Sequence, residues 1–230
     1  MQRSFKRSAK GWALAVLSLG SLVSASPTEQ IEDILRSTDS TFTVDFSNLP
    51  VGQRVSEVVL GQGISGSSVT SALLGINGLS TIHISGQRAD RSGDSNRAMT
   101  FDGECGGDPE GCSGNDDDLY EPGQGNLLIV SQDNNADDPN DNHDGGHIDF
   151  DFGDFGPGAV TVTSLEVFDV SHNGAAVYLY ADGELIEEIS LARGGTGERA
   201  TVEVDTPGVD LMRVTVEDSF AVDNLAFEVQ

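Results

Sequence analysis

Lysine is almost missing from this chain of 230 residues: Lys6 and Lys10 are the only two, and both lie in the first ten positions. Every other basic residue is an arginine, and none falls between Arg97 and Arg193. Set against 38 acidic residues this leaves a formal charge of −26, which repels nucleic acid and anionic lipid and excludes both as direct partners. The single tryptophan, Trp12, precedes everything that reads as folded domain. Two cysteines without nearby histidines at ligand spacing make a poor zinc-thiolate site and cannot staple a disulfide-dense scaffold. No segment approaches the ~18 apolar residues of a membrane helix, so membrane insertion is excluded. There is no βαβ rhythm, no repeat of solenoid or propeller length and no G-x-S-x-G elbow. The HisxxxHis spacing of His143 and His147 falls in a Gly-rich turn, where helical i, i+4 geometry does not apply. The chain does not read as an enzyme.

What is present begins with an export signal. Arg3, Lys6, Arg7 and Lys10 precede the apolar run WALAVLSLGSLV and the small residues up to Ala25, the pattern of a signal peptide over 1–25. Its removal takes four basic residues and no acidic ones, leaving a secreted chain of charge −30. Residues 26–40 read as a linker or a short helix, and 41–230 as one domain. In an oxidising compartment Cys105 and Cys112 are expected to pair, closing a loop worth about 2.5 kcal/mol by chain entropy.

From Thr41 the hydrophobic period is two. TFTVDF, TIHIS, AMTFD, LLIV, HIDFDF, VTVTSLEVFDV, AAVYLYA, ELIEEISL, ATVEV, LMRVTVE and FAVDNLAFEV follow one another with Gly, Asn, Asp or Pro breaks. This predicts an all-β fold, an antiparallel β-sandwich of jelly-roll type. LLIV (127–130) reads as buried on both faces, the Gly/Ser-rich stretch 61–80 as irregular, and Asp149 as exposed. Tyr178 and Tyr180 share one side of their strand, as a two-ring platform for sugars or as a second buried layer. Asp223 has the parity of Leu225, Phe227 and Val229, so it either caps backbone N–H groups or delivers a carboxylate to a cation.

The acids are not evenly spread. Between LLIV and HIDFDF lies SQDNNADDPNDNHDGG, with Asp133, Asn135 and Asp137 two apart and Asp138, Asp141 and Asp144 following; DDDL (116–119) precedes it. Two carboxylates about 4 Å apart repel by roughly 4 kcal/mol at an effective dielectric of 20, so crowding of this kind calls for a cation or open water. The spacing is similar to an EF-hand loop but lacks its turn glycine, its terminal Glu and its helices. An acidic surface adapted to high salt would account for the total charge but not for the two-residue spacing. Asp116, Asp117, Asp118, Asp133, Asn135, Asp137, Asp138, Asp141 and Asp223 are therefore the candidate Ca²⁺ ligands.

NRAMTFD (96–102), DDDLYEP (116–122), GNLLIVSQDNNADDPNDN (125–142), GGHIDFDF (145–152) and VDNLAF (222–227), taken in order, resemble a pattern of secreted bacterial calcium-binding jelly-roll modules similar to carbohydrate-binding modules of the galactose-binding-like type. The resemblance implies structural Ca²⁺, with the terminal-strand Asp223 among its ligands, and an extracellular glycan as partner. The missing tryptophan departs from the usual sugar platform. A structural or adhesive matrix protein, or a small polysaccharide-active enzyme, is the alternative.

Overall fold

Alternating apolar residues build a sandwich whose two layers share one continuous hydrogen-bonded path. The computed structural model describes residues 40–66, 81–90 and 96–229; the predicted signal peptide and all but the last residue of the linker lie outside them. The described residues form thirteen strands: β1 (Ser40–Val44), β2 (Glu57–Leu60), β3 (Gly63–Gly66), β4 (Thr81–Arg88), β5 (Ala98–Asp102), β6 (Asn126–Val130), β7 (Gly146–Asp151), β8 (Val160–Phe168), β9 (Ala176–Ala181), β10 (Glu184–Ser190), β11 (Arg199–Pro207), β12 (Leu211–Val216) and β13 (Ala221–Val229). One layer runs β10-β9-β12-β7-β4. The other is built on β13, which pairs with β1 and β6 along one side and with β8, and through it β11, along the other. All pairs are antiparallel except β2–β3, the parallel step that carries the path from β4 to β1.

The core follows from the period-two pattern. Ile82 and Ile84, Ile148 and Phe150, Val177 and Leu179, and Met212 and Val214 point inward from the first layer, against Phe42, Val44, Val160, Val162, Leu225 and Phe227 of the second. Phe227 sits at the centre, its ring 5.3–5.6 Å from those of Phe42, Phe152 and Phe155. Burying each such side chain stabilises the fold by about 1.5–3 kcal/mol.

β6 is buried on both faces, as its unbroken apolar run predicts: Leu128 and Val130 enter the main core, while Leu127 and Ile129 enter a second, smaller one. That second core also holds Met99, Phe101, Phe168 and Ala221, and it is covered by Cys105 and Leu119 from the segment 103–121. This cover is a chain of 3₁₀ turns closed by the Cys105–Cys112 disulfide.

Three sequence expectations need correction. Part of the Gly-rich stretch is strand β3, and β2 before it was not anticipated. Asp149 is not freely exposed: Arg213 Nε and Nη2 donate to its two oxygens at 2.6 and 2.7 Å. The parity argument for Asp223 fails because Asn224 takes φ 50°, at a register shift between Asp223 and Ala226. Val222, not Asp223, shares the main core with Leu225 and Phe227.

Candidate functional site

Two loops and two strand ends bring carboxylates together. The cover segment carries Asp116 and Asp118 beside Leu119, whose burial in the second core pins the turn. The excursion 131–141 is closed at its base, where Ser131 bridges Asp141 and the Gln132 N–H donates to the Asn140 carbonyl at 2.9 Å. Asp141 therefore lies at the buried root of the loop, while Asp133, Asn135, Asp137 and Asp138 lie towards its exposed tip. The two loops meet at Gly114, whose N–H donates to Asp138 Oδ1 at 2.9 Å. A Cβ on Gly114 would stand 2.7 Å from Asn140 and from Asp116 Oδ2, and its φ of +66° also favours glycine.

Asp116, Asp141 and His143 offer ligand atoms within 4.8 Å of one another, a group able to chelate a metal ion. Asp116 and Asp141 are 2% and 1% exposed, and His143 stands at the exposed rim. Asp116 Oδ2 accepts the Asp141 N–H at 2.9 Å. Among the described residues, neither Asp141 carboxylate oxygen has a hydrogen-bond partner. Ser219 stands close by, but its hydroxyl has one proton and donates it to Asp169 Oδ2 at 2.5 Å. Asp169 is itself 2% exposed and accepts the Gly197 N–H at 2.9 Å through Oδ1.

The electrostatics reflect this crowding. Burial first, then the neighbouring Asp116, Asp118 and Asp169, push the Asp141 carboxyl up to about 9. Burial and then Asp169 and Asp116 raise Asp118 to about 6. Burial also raises Asp116, with the backbone N–H of Asp141 working against it. Two buried carboxylates thus meet beside the His143 imidazole, with the charges of Asp118 and Asp169 close enough to be felt. An unpaired charge buried in this way costs several kcal/mol, and a bound cation removes that cost.

Of the remaining predicted ligands, Asp117 is exposed on the cover segment. Asp133 and Asn135 accept the N–H groups two residues ahead at 2.9 and 3.2 Å, which are local turn contacts. Asp223 faces a different set. Its Oδ2 accepts from Gln124 Nε2 at 2.9 Å, Asp45 lies near, and its Oδ1 is buried without a partner among the described residues. Burial raises its carboxyl to about 7, against the stabilising Gln124 contact. Sequence reasoning missed His143, Asp169 and Ser219. In sequence His143 reads only as a partner of His147, and Asp169 as the polar end of strand β8.

On the outer face of the first layer, Tyr178 and Tyr180 are half-buried, neither in the core nor fully exposed. Register places Arg213 and Asp149 in line with Tyr178, and Leu211 beside Tyr180, with Leu185 half-exposed at the neighbouring edge.

No protein-family model matches the chain, and no curated protein matches it. Among solved structures the sandwich resembles several carbohydrate-binding modules. A mutant of the lectin-binding domain of Lectinolysin, complexed with Lewis b, shares 13% identity over 38% of this chain and 65% of its own length, with a TM-score of 0.26. A fucose-binding module of Streptococcus pneumoniae shares 13% over 62% of this chain and 89% of that one, at 0.34. The enzymatically active domain of tailspike protein 4 from bacteriophage CBA120 shares 12% over 65% of this chain and 19% of that one, at 0.31. At such identities and TM-scores the likeness concerns sandwich architecture and carries no ligand or activity over to this chain.

Proposed function

We propose that this is a secreted module of jelly-roll type whose sandwich is tied together by Ca²⁺ and which binds extracellular or cell-surface glycans without turning them over. The observation that supports it most is Asp141: a carboxylate 1% exposed, both oxygens unpartnered, facing Asp116, Asp118 and Asp169. Hard oxygens from several chain segments suit Ca²⁺, which takes 6–8 oxygen ligands in flexible geometry, better than Mg²⁺ with its small octahedral shell. Asp116, Asp141 and His143 would hold the ion, and the neighbouring Asp118 and Asp169 would add their charge to its surroundings. A bound cation there would offset the repulsion between the cover segment, the 131–141 loop and the end of β8. Asp117, Asp133, Asp137 and Asp138 add negative field from the exposed side, and Asn135 offers a neutral amide oxygen there. Asp223, with a bare Oδ1 beside Asp45, offers oxygens for a further ion.

The glycan reading is supported by the half-exposed Tyr178 and Tyr180 beside the Arg213–Asp149 pair, an apolar ring surface adjoining fixed polar groups. Export is supported by the signal pattern over 1–25. A second reading, a structural or adhesive matrix protein, is favoured by the position of the acidic centre, which joins separate parts of the backbone. Thermal melts in EDTA, Ca²⁺ and Mg²⁺ at fixed ionic strength test the cation. A glycan array read with and without EDTA separates the two functions. Equal shifts for both divalent ions, or none, would remove the calcium reading; an array without binders would leave the structural one.

A further inference from the structure

We infer that a cleft on the outer face of the first layer is a binding site for a neutral saccharide, and that the acidic centre sets the cleft's shape. The inference rests on the glycan-binding reading above and gives it a place and a ligand class. The cleft, about 320 Å³, is lined by Arg88, Asp144, His147, Arg213, Thr215 and Glu217. It adjoins Tyr178, the register partner of Arg213 across β9 and β12.

Its chemistry suits hydroxyl groups rather than charge. Arg213 is held bidentately by Asp149, and Arg88 is ion-paired with Asp90. Asp144 and Glu217 add two more carboxylates, so four acids stand against two guanidinium groups. An acidic sugar would meet net repulsion here, whereas a neutral saccharide finds donors in the guanidinium groups and acceptors in the carboxylates, fixed in direction by their ion pairs.

The chain segments that form the two walls of the cleft continue into the acidic centre. On one side the segment 141–147 begins with Asp141 and His143 of the metal-ligating group and ends with Asp144 and His147 of the cleft. The turn between them is stiff. The Gly145 N–H donates to the Asn142 carbonyl at 3.0 Å, Asn142 Nδ2 donates to the Gly145 carbonyl at 2.5 Å, and that carbonyl also accepts the Ala89 N–H at 3.1 Å. Gly145 has φ +70°, and a Cβ there would lie 2.2 Å from the Val216 carbonyl oxygen, so the turn is pressed against the other wall. On that wall Val216 and Glu217 line the cleft, and Ser219, two residues on, donates to Asp169 in the centre. A cation that draws Asp141 and Asp169 together therefore positions both walls, and a ligand that holds the walls must in turn tighten the cation by the same factor.

Two measurements on the secreted chain test this. Hydrogen exchange with Ca²⁺ alone should slow at least fivefold over 142–146 and 216–219 relative to EDTA. Native affinity gels cast with galactomannan, laminarin or polygalacturonate should show retardation by a neutral polymer in Ca²⁺, weakened at least fivefold by EDTA, by His147→Ala and by Thr215→Val. Melting temperatures in Ca²⁺ should show both variants folded. Retardation that both variants retain would overturn the cleft while leaving glycan binding intact. Unchanged exchange together with EDTA-insensitive retardation would overturn the coupling. Preferential retardation by polygalacturonate would overturn the ligand class. No retardation by any of the three would overturn the inference and the glycan reading together.

Discussion

Replacing Asp141 by Asn should stabilise the protein without calcium and abolish its response to calcium, so that the gap between the two proteins narrows when the ion is added. The magnitude follows from protonation. With its carboxyl pushed up to about 9, Asp141 holds a proton at pH 7 in the folded state but not in the unfolded chain. Taking up that proton costs about 1.4 kcal/mol for each pH unit above the ordinary value near 4, or about 4 kcal/mol at pH 7. That ceiling is set by the pH and not by how far above 7 the folded value lies. Asparagine is neutral without a proton, and its N–H₂ can donate to Asp116, Asp118 or Asp169. In EDTA, Asp141→Asn should therefore gain about 1–4 kcal/mol, or about 3–15 °C in melting temperature for a domain of this size. In millimolar Ca²⁺ the natural protein should gain roughly 1.5 kcal/mol at tenfold saturation, and the variant almost nothing. Circular dichroism melts at pH 7 read all four states. A variant less stable than the natural protein in EDTA by more than about 1 kcal/mol would refute the reasoning, because the carboxylate would then have a favourable partner. A calcium shift preserved in the variant would refute it equally.

The same imbalance predicts the pH dependence. Asp118, Asp223 and Asp141, raised to about 6, 7 and 9, bind more protons folded than unfolded, so stability in EDTA should fall as pH rises from about 4 to 9. That slope should shrink with Ca²⁺, as urea titrations across pH would show. Asp169→Asn should remove most of the calcium shift, whereas Asp133→Ala at the exposed tip should alter it by less than about 0.5 kcal/mol. Tyr178→Ala and Tyr180→Ala should each weaken glycan binding about fivefold while moving the melting temperature by only a few degrees, since neither ring is core; unfolding of both variants would speak against the platform. Asp149→Ala should cost about 1 kcal/mol of stability, because Arg213 loses both its contacts in a partly exposed place, yet leave the calcium shift unchanged.

How far the fold was legible depended on the range of the forces involved. Strands whose apolar residues alternate, such as β7 and β12, declare their faces locally, and the unbroken run of β6 declared two buried faces. β3 did not, because Gly63–Gly66 carries one large apolar side chain, Ile64, and owes its extended form to pairing with β1 and β2. Asp223 misled for a different reason. Parity holds only while every residue advances the strand by one step, and the left-handed Asn224 breaks that count. The acidic centre was legible in kind, since crowded carboxylates demand compensation wherever they meet. Its membership was legible only in part. Spacing within a loop says how residues follow one another, and it drew attention to Asp133 and Asn135, whose side chains bond to neighbouring backbone, and to Asp137 at the exposed tip. Depth decides which acids are held out of water, and depth comes from closures across the chain: Ser131 to Asp141 at the root of one loop, Leu119 in the second core beneath another, and Ser219 to Asp169 across fifty residues. Asp169 carries no acidic neighbour in sequence, yet its side chain stands among the most buried carboxylates of the protein. A cation that binds there reads contacts of long sequence separation, so its affinity should report on the closure of the whole sandwich rather than on the acidic loop alone.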